Sequence, residues 1–285
     1  MAASVFEAAE SYLRGRAESG AREIDVFWRH ANANGRAWLV ETSAGKAAAF
    51  AILRAQEGDA ISWSVVHPDF RSRGIATALL GHVEADARRS GARSLKVGTF
   101  AEDAAAVELF QRLGFHESRH FFHMRLDLDE APAPASWPPG ISLSTFRRED
   151  ARAFHSALQE AFAEEWGFMP LPFEEWERMR LEAPDTDTSL WFIAREGDEI
   201  AGVARCNTSK EAGGWIGAIG VRRPWRNRGI GLALLRHAFS EFHRRGEPHV
   251  NLGVDSENPT GATQLYEKAG MRVLNEDIVY EKDLT

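Results

Sequence analysis

Two short basic stretches containing glycine carry the clearest chemistry in the chain. One reads Arg226-Asn227-Arg228-Gly229-Ile230-Gly231, the other Arg71-Ser72-Arg73-Gly74-Ile75-Ala76. Both follow the pattern Arg-x-x-Gly-x-(Gly/Ala), set between an apolar run and a segment with helical spacing. The start of a helix leaves backbone N–H groups without partners and carries the positive end of the dipole. An anion can occupy that position. Glycine lets the backbone approach where a Cβ would collide. The flanking arginines can donate charge-assisted bonds to phosphate oxygens. The pattern is therefore an anion cradle suited to the phosphates of a small cofactor. No Gly-Lys-Ser/Thr follows, so it is not a Walker loop, and the six-residue glycine pattern of dinucleotide sites is missing.

The elements that would hold these loops also come twice. Val66–Ala76 and Val221–Gly231 are the same segment at an offset of 155 residues. The same offset maps Ala78-Leu79-Leu80 onto Ala233-Leu234-Leu235 and Gly91 onto Gly246. Leu113-Gly114-Phe115 maps onto Ala269-Gly270-Met271 with one residue inserted. A fixed offset over many landmarks marks a duplicated domain. Apolar runs at Trp38–Val40 and Ala47–Leu53, and at Leu190–Ala194 and Ile200–Ala204, flank turns and predict hairpins. Ala60–Val66 and Trp215–Val221 predict strands entering the loops. Ile75, Leu79 and Val83 recur at steps of four, as do Ile230, Leu234, Ala238 and Phe242, which predicts a helix after each loop. A strand (Ser94–Gly98, His249–Val254) and a second helix (Ala105–Leu113, Thr260–Ala269) complete each copy. The alternation gives an α/β (α+β) fold, twice over.

The chain has 285 residues, enough for about two domains. The stretch Asp129–Gly140, DEAPAPASWPPG, holds four prolines that disfavour helix and central strand. It reads as a linker between domains at 1–128 and 141–285. The net charge of -8 makes nucleic acid a poor partner. A single cysteine, Cys206, rules out an intrachain disulfide and fits a reducing compartment. No secretory leader and no apolar stretch of about 18 residues is visible, so a cytoplasmic location with no membrane partner is expected. His116, His120 and His123 lie close together, but without cysteines or paired acids at ligand spacing no metal site is expected.

Strand, Arg-x-x-Gly-x-Gly/Ala, helix is similar to the acetyl-CoA pyrophosphate site of the GNAT (GCN5-related N-acetyltransferase) superfamily. The block Val254–Met271, with Asn258, Tyr266 and Gly270, resembles the last conserved block of that family. The resemblance covers nearly the whole chain as a tandem pair. It implies two modules, each a mixed, mostly antiparallel sheet flanked by helices. It implies acetyl-CoA, or another acyl-CoA, as cofactor and a small-molecule amine as acceptor. Cofactor contacts would come from Ile219, Val221, the loop from Arg226 to Gly231 and Asn258 in the second copy. In the first they would come from Val66 and the loop from Arg71 to Ala76. Tyr266 would be the catalytic proton donor to the leaving thiolate. Its counterpart in the first copy is Phe110, which has no proton to give, and Asn258 becomes Glu102. The second copy is therefore expected to be the catalytic domain and the first to be degenerate.

Transfer to an amine also needs a group to take the amine's proton. Many members of the family carry a Glu on the strand before the loop. Neither Trp215–Val221 nor Ala60–Val66 contains a carboxylate. Glu164, Glu165 and Trp166 are the candidate acceptor-binding residues, in a stretch of acids and aromatics running to Trp176. Glu164, Glu165 and Asp255 are candidate bases. The same stretch also fits a packed surface edge with no ligand. The alternative to an enzyme is a non-catalytic acyl-CoA-binding or regulatory protein. Monomer and homodimer are both compatible with the sequence.

Overall fold

The computed structural model describes the chain apart from residues 18–20, 57, 184–185, 210–212 and 285. It divides into two compact units, Met1–Phe121 with Asn275–Thr285, and Phe122–Leu274.

The first unit opens with helices α1 (Ala2–Arg14) and α2 (Ala21–Ala33). Strands β1 (Ala37–Glu41), β2 (Ala47–Gln56) and β3 (Gly58–Val66) form an antiparallel meander. A 3-10 turn at Pro68–Phe70 leads to α3 (Ile75–Arg89). Strand β4 (Ala92–Phe100) returns parallel to β3, and α4 (Ala104–Arg112) follows. Residues 116–121 of β5 (His116–Asp127) and residues 275–283 of β11 (Arg272–Asp283) complete the sheet. The strand order is β1-β2-β3-β4-β11-β5. Strand β11 runs antiparallel to β4, with Asp277 opposite Phe100 and Asp283 opposite Ser94. Side chains alternate across β2. Phe50 and Ile52 face α1 and α2, while Ala49, Ala51 and Leu53 face α3 and α4.

The second unit repeats this plan. Its strand order is β5-β10-β9-β8-β7-β6. The strands are β6 (Ile141–Thr145), β7 (Trp191–Glu196), β8 (Glu199–Ser209), β9 (Gly213–Val221) and β10 (His249–Asp255). The helices are α5 (Ala151–Phe162), the short α6 (Phe173–Trp176), α7 (Ile230–Arg244) and α8 (Ala262–Lys268). Trp191 and Ile193 of β7 pack toward α5 and α6, and Phe192 and Ala194 toward α7. All four stripe residues of α7 are buried. Each unit is a mixed sheet, with β3 and β4 parallel in the first and β9 and β10 parallel in the second, and helices pack on both faces.

The proline-rich stretch 129–140 lies within the second unit. Trp137 is anchored there beside His237, at 6.4 Å between ring centroids. Residues 122–127 also belong to the second unit, where the Arg125 Nε donates to Asn251 Oδ1 at 2.9 Å. The units thus divide at 121/122 and 274/275 rather than at the linker, because strand pairing outweighs chain order.

Candidate active site

The two loops share one backbone conformation. Arg71 and Arg226 are extended, at φ −63 and −62. The next residues, Ser72 and Asn227, are left-handed at φ 59 and 61. Gly74 and Gly229 are left-handed again, at φ 76 and 84, and cap α3 and α7. Both loops therefore place an extended arginine, then a left-handed residue, then a left-handed glycine directly ahead of the helix, whose first N–H groups have no partner within the helix. A Cβ on Gly229 would meet nothing within 4 Å. That glycine is needed for its dihedral, and the space above it is open. Gly231 has a different reason: a Cβ there would lie 3.1 Å from Leu265 Cδ2. Its smallness lets α8 pack against α7.

Carboxylates brace the cradle arginines. Arg226 Nη1 donates to Glu164 Oε2 at 2.6 Å and Nη2 to the Ala161 carbonyl at 3.2 Å. Arg228 grips Glu196 at 2.5 Å, and Trp225 Nε1 donates to the same carboxylate at 2.8 Å. Hydrogen bonding from Arg228, then from Trp225, pushes the Glu196 carboxyl down to about 2. In the first unit Arg71 is paired with Asp103, and Arg73 donates to the Asp69 carbonyl at 2.9 Å.

The strands beside the loops differ between the units. Strand β9 pairs in parallel with β10 at Gly214 and Trp215, opposite Val250 and Asn251, and at no further described residue. Two residues later a bulge falls at Gly217: Arg205 and Cys206 of β8 face Ala218 and Ile216. Arg205 Nη2 donates to the Gly217 carbonyl at 3.1 Å. From there Ile219 and Val221 run up to the loop on the edge that faces away from β8. That edge is a backbone surface an extended amide chain can pair with. In β3 the pairing with β2 is continuous, and the pairing with β4 reaches Trp63 opposite Gly98. A Cβ on Gly98 would lie 2.8 Å from the Trp63 ring. The cleft of about 410 Å³ above it is lined by Val66, Arg71, Ser72, Gly74, Thr77 and Phe110, with Trp63 among its walls. Gly214, Gly217 and Gly220 inside one strand are the only local sequence signal of this bulge.

Around the parted strands three of the sequence candidates meet. Asn258 follows β10; its Nδ2 donates to Glu165 Oε1 at 3.2 Å, and its Oδ1 accepts from Thr260 N at 2.9 Å. Glu165 is half-buried. Burial pushes its carboxyl up to about 7, Asp255 acts in the same direction, and Asn258 and Arg226 pull against them. Tyr266 is buried on α8. Its phenol is raised by burial and then by the Glu165 charge, which keeps the hydroxyl protonated. Glu164 points elsewhere: its bond to Arg226 holds it below the usual carboxylate range. Trp166 is half-buried. Trp176 and Phe173 pack with Phe154 and Trp191 in the core, so that part of the stretch is a packed edge. Cys206 is fully buried and its thiol is pushed up to about 12, which excludes it as a nucleophile.

The first unit answers this group with another. Phe110 packs on Phe115 and Tyr280. Glu102, at the Asn258 position, takes a bond from Arg14 Nε at 3.1 Å. Arg14 is almost fully buried and also donates to Asp277 at 2.8 Å. A cation from the end of α1 thus occupies the role that Glu165 has after α5. Among the described residues there is no cluster of three His, Cys, Asp or Glu side chains able to hold a metal ion. None of their helices is long and apolar enough to cross a membrane.

The structure thus repeats a left-handed, glycine-capped turn at the start of a helix, and in the second unit sets it beside a parted parallel strand pair and a buried tyrosine. The family model for the Acetyltransferase (GNAT) family matches residues 3–115 and again 151–271. The chain belongs to that family, as two modules, and is an N-acetyltransferase by class. It is similar to the mycothiol acetyltransferase of Acidothermus cellulolyticus, 31% identical over 76% of this chain and 70% of that one. It is similar at 30% identity to that of Geodermatophilus obscurus, over 87% and 83%. A solved GCN5-related N-acetyltransferase from Sphaerobacter thermophilus superposes with a TM-score of 0.78 at 33% identity, covering 99% of this chain and 91% of that one. A tandem GNAT protein from the clavulanic acid biosynthesis pathway shares the fold, with a TM-score of 0.67 at 19% identity, over 100% and 97%.

Proposed function

We propose that the second unit transfers an acetyl group from acetyl-CoA to the primary amine of a small molecule, by direct attack with both substrates bound. The observation that carries this reading is the convergence of Glu165, Asn258 and Tyr266 beside the opening between β9 and β10. The first unit has Arg14, Glu102 and Phe110 instead. The backbone N–H groups from Asn227 to Gly231 would hold the pyrophosphate, with Arg226 and Arg228 beside them. Ile219 and Val221 would pair with the pantetheine amides, and Asn258 would border that arm. Tyr266 would give its proton to the leaving sulfur. The acyl group arrives activated as a thioester, so these residues need to orient, exclude water and move protons.

The test is thiol release from acetyl-CoA over a panel of small amines that includes the acceptor of the mycothiol acetyltransferases. Tyr266→Phe should lower kcat by roughly 10²–10⁴-fold and leave the acetyl-CoA dissociation constant unchanged. The second reading is an acyl-CoA-binding protein without turnover, and the absence of a carboxylate on β9 favours it. Tight binding of acetyl-CoA with no turnover on any amine would establish it.

A further inference from the structure

We infer that Glu165 is the catalytic residue that takes the proton from the acceptor amine, replacing a strand carboxylate that β9 does not have. The inference rests on the acyl-transfer reading above and adds the proton's destination. Four observations support it. Strand β9, Gly213–Val221, carries no acid. Glu165 sits three residues past the end of α5, against the opening between β9 and β10, and its carboxylate is fixed by the Asn258 amide at 3.2 Å. Asn258 cannot titrate, so this bond orients the group without competing for the proton. The adjacent Glu164 is engaged by Arg226 at 2.6 Å and holds the loop instead. The charged and titratable groups around Glu165 are Asp255 on β10, Arg226 on the loop and the Tyr266 phenol on α8. The two acids therefore divide the work: Glu164 braces the cofactor cradle and Glu165 faces the acceptor.

The step balances as follows. An aliphatic amine arrives as an ammonium ion, since such groups titrate near 10. One N–H bond breaks to the Glu165 carboxylate. The nitrogen lone pair forms the C–N bond at the thioester carbonyl. The C–S bond breaks with its electron pair on sulfur, and sulfur takes the Tyr266 proton. The nitrogen's second proton restores the phenol, and Glu165 releases its proton to water. A carboxyl near neutrality suits this role, because a base works best when its pKa lies near the working pH.

The experiment uses the full chain with acetyl-CoA and an amine that wild type acetylates. Wild type should show an acidic limb in log kcat/KM against pH. Glu165→Gln keeps the shape and can still accept the Asn258 bond. It should lower kcat/KM at pH 7 by roughly 10²–10⁴-fold and replace the wild-type break near 7 with a rise that continues toward the amine's own value near 10, as the amine deprotonates in solution. Its acetyl-CoA dissociation constant should stay within about threefold, as a structural role would not allow. Glu164→Gln should raise the KM for acetyl-CoA and keep the break near 7. A reading independent of turnover comes from infrared titration of the protein alone. One carboxyl titrating near neutral pH should vanish in Glu165→Gln. A Glu165→Gln variant within threefold of wild type with the break near 7 intact would overturn the inference while acyl transfer stands. Wild type that binds acetyl-CoA but acetylates nothing would overturn the acyl-transfer reading, and this inference with it.

Discussion

A base held half-buried and away from solvent should cost the folded protein stability, and that cost can be measured without any substrate. The Glu165 carboxyl lies at about 7 in the folded chain, against 4.5 for the ordinary side chain. A raised carboxyl contributes nothing unfavourable below its unfolded value, where both states are protonated. As pH rises above 4.5 the unfolded chain gives up its proton first, so stability is lost progressively. The loss levels off once pH passes the folded value near 7. Full burial would put the total at roughly 3 kcal/mol; partial exposure reduces it to about 1.5–3. Glu165→Gln removes the ionisation. It should therefore melt together with wild type at pH 4 and higher at pH 8, by roughly 3–10 °C for a unit of this size. Scanning calorimetry or urea titration of the protein without acetyl-CoA at both pH values measures the difference. Equal melting at pH 8, or a Gln variant less stable there, would refute the picture of a desolvated carboxylate. A variant that gains stability as it loses turnover is the signature of a residue retained for chemistry.

Other expected outcomes follow from the same geometry. Gly229→Ala has room for its Cβ but must hold a left-handed backbone, so it should cost roughly 1–2 kcal/mol in denaturant titration and weaken acetyl-CoA binding. Arg14→Met removes a buried guanidinium bonded to Glu102 and Asp277 and should destabilise the first unit by roughly 3–5 kcal/mol, with turnover in the second unit kept. Calorimetry with acetyl-CoA tests the two cradles separately: Gly229→Glu should abolish the catalytic-site binding and Gly74→Glu should remove any site in the cleft of the first unit. His120 is raised by hydrogen bonding to Glu117 and Glu276, so its contribution to stability is full below its unfolded value and is lost as pH rises through the folded one. His120→Gln should flatten that part of the stability profile.

The duplication was legible because it depends on local signals. Gly74 and Gly229 occupy a dihedral that only glycine adopts readily, and Arg71 and Arg226 follow from the same turn. The helix stripe of Ile230, Leu234, Ala238 and Phe242 and the alternation of β2 and β7 are likewise written in neighbouring residues. The choice between Glu164 and Glu165 was not legible, since two adjacent acids at a helix end diverge only once Arg226 and Asn258 are in place. The parting of β9 from β10 depends on pairing between residues about 35 apart, and the sequence shows only the Gly217 that permits it. The bracing of Arg228 by Glu196 joins residues 32 apart and no local pattern announces it.

The last strand has a consequence for how the chain is made. Residues 275–283 close the first sheet against β4, yet they emerge from the ribosome long after residue 121. At roughly 5–20 residues per second, the nascent first unit waits on the order of ten seconds or more with the free edge of β4 exposed. During that interval the second unit's own strands β6 to β10 are synthesised and can fold. Nascent-chain proteolysis should accordingly find residues 141–271 protected before residues 37–100. Removing the last ten residues should unfold the half of the protein synthesised first.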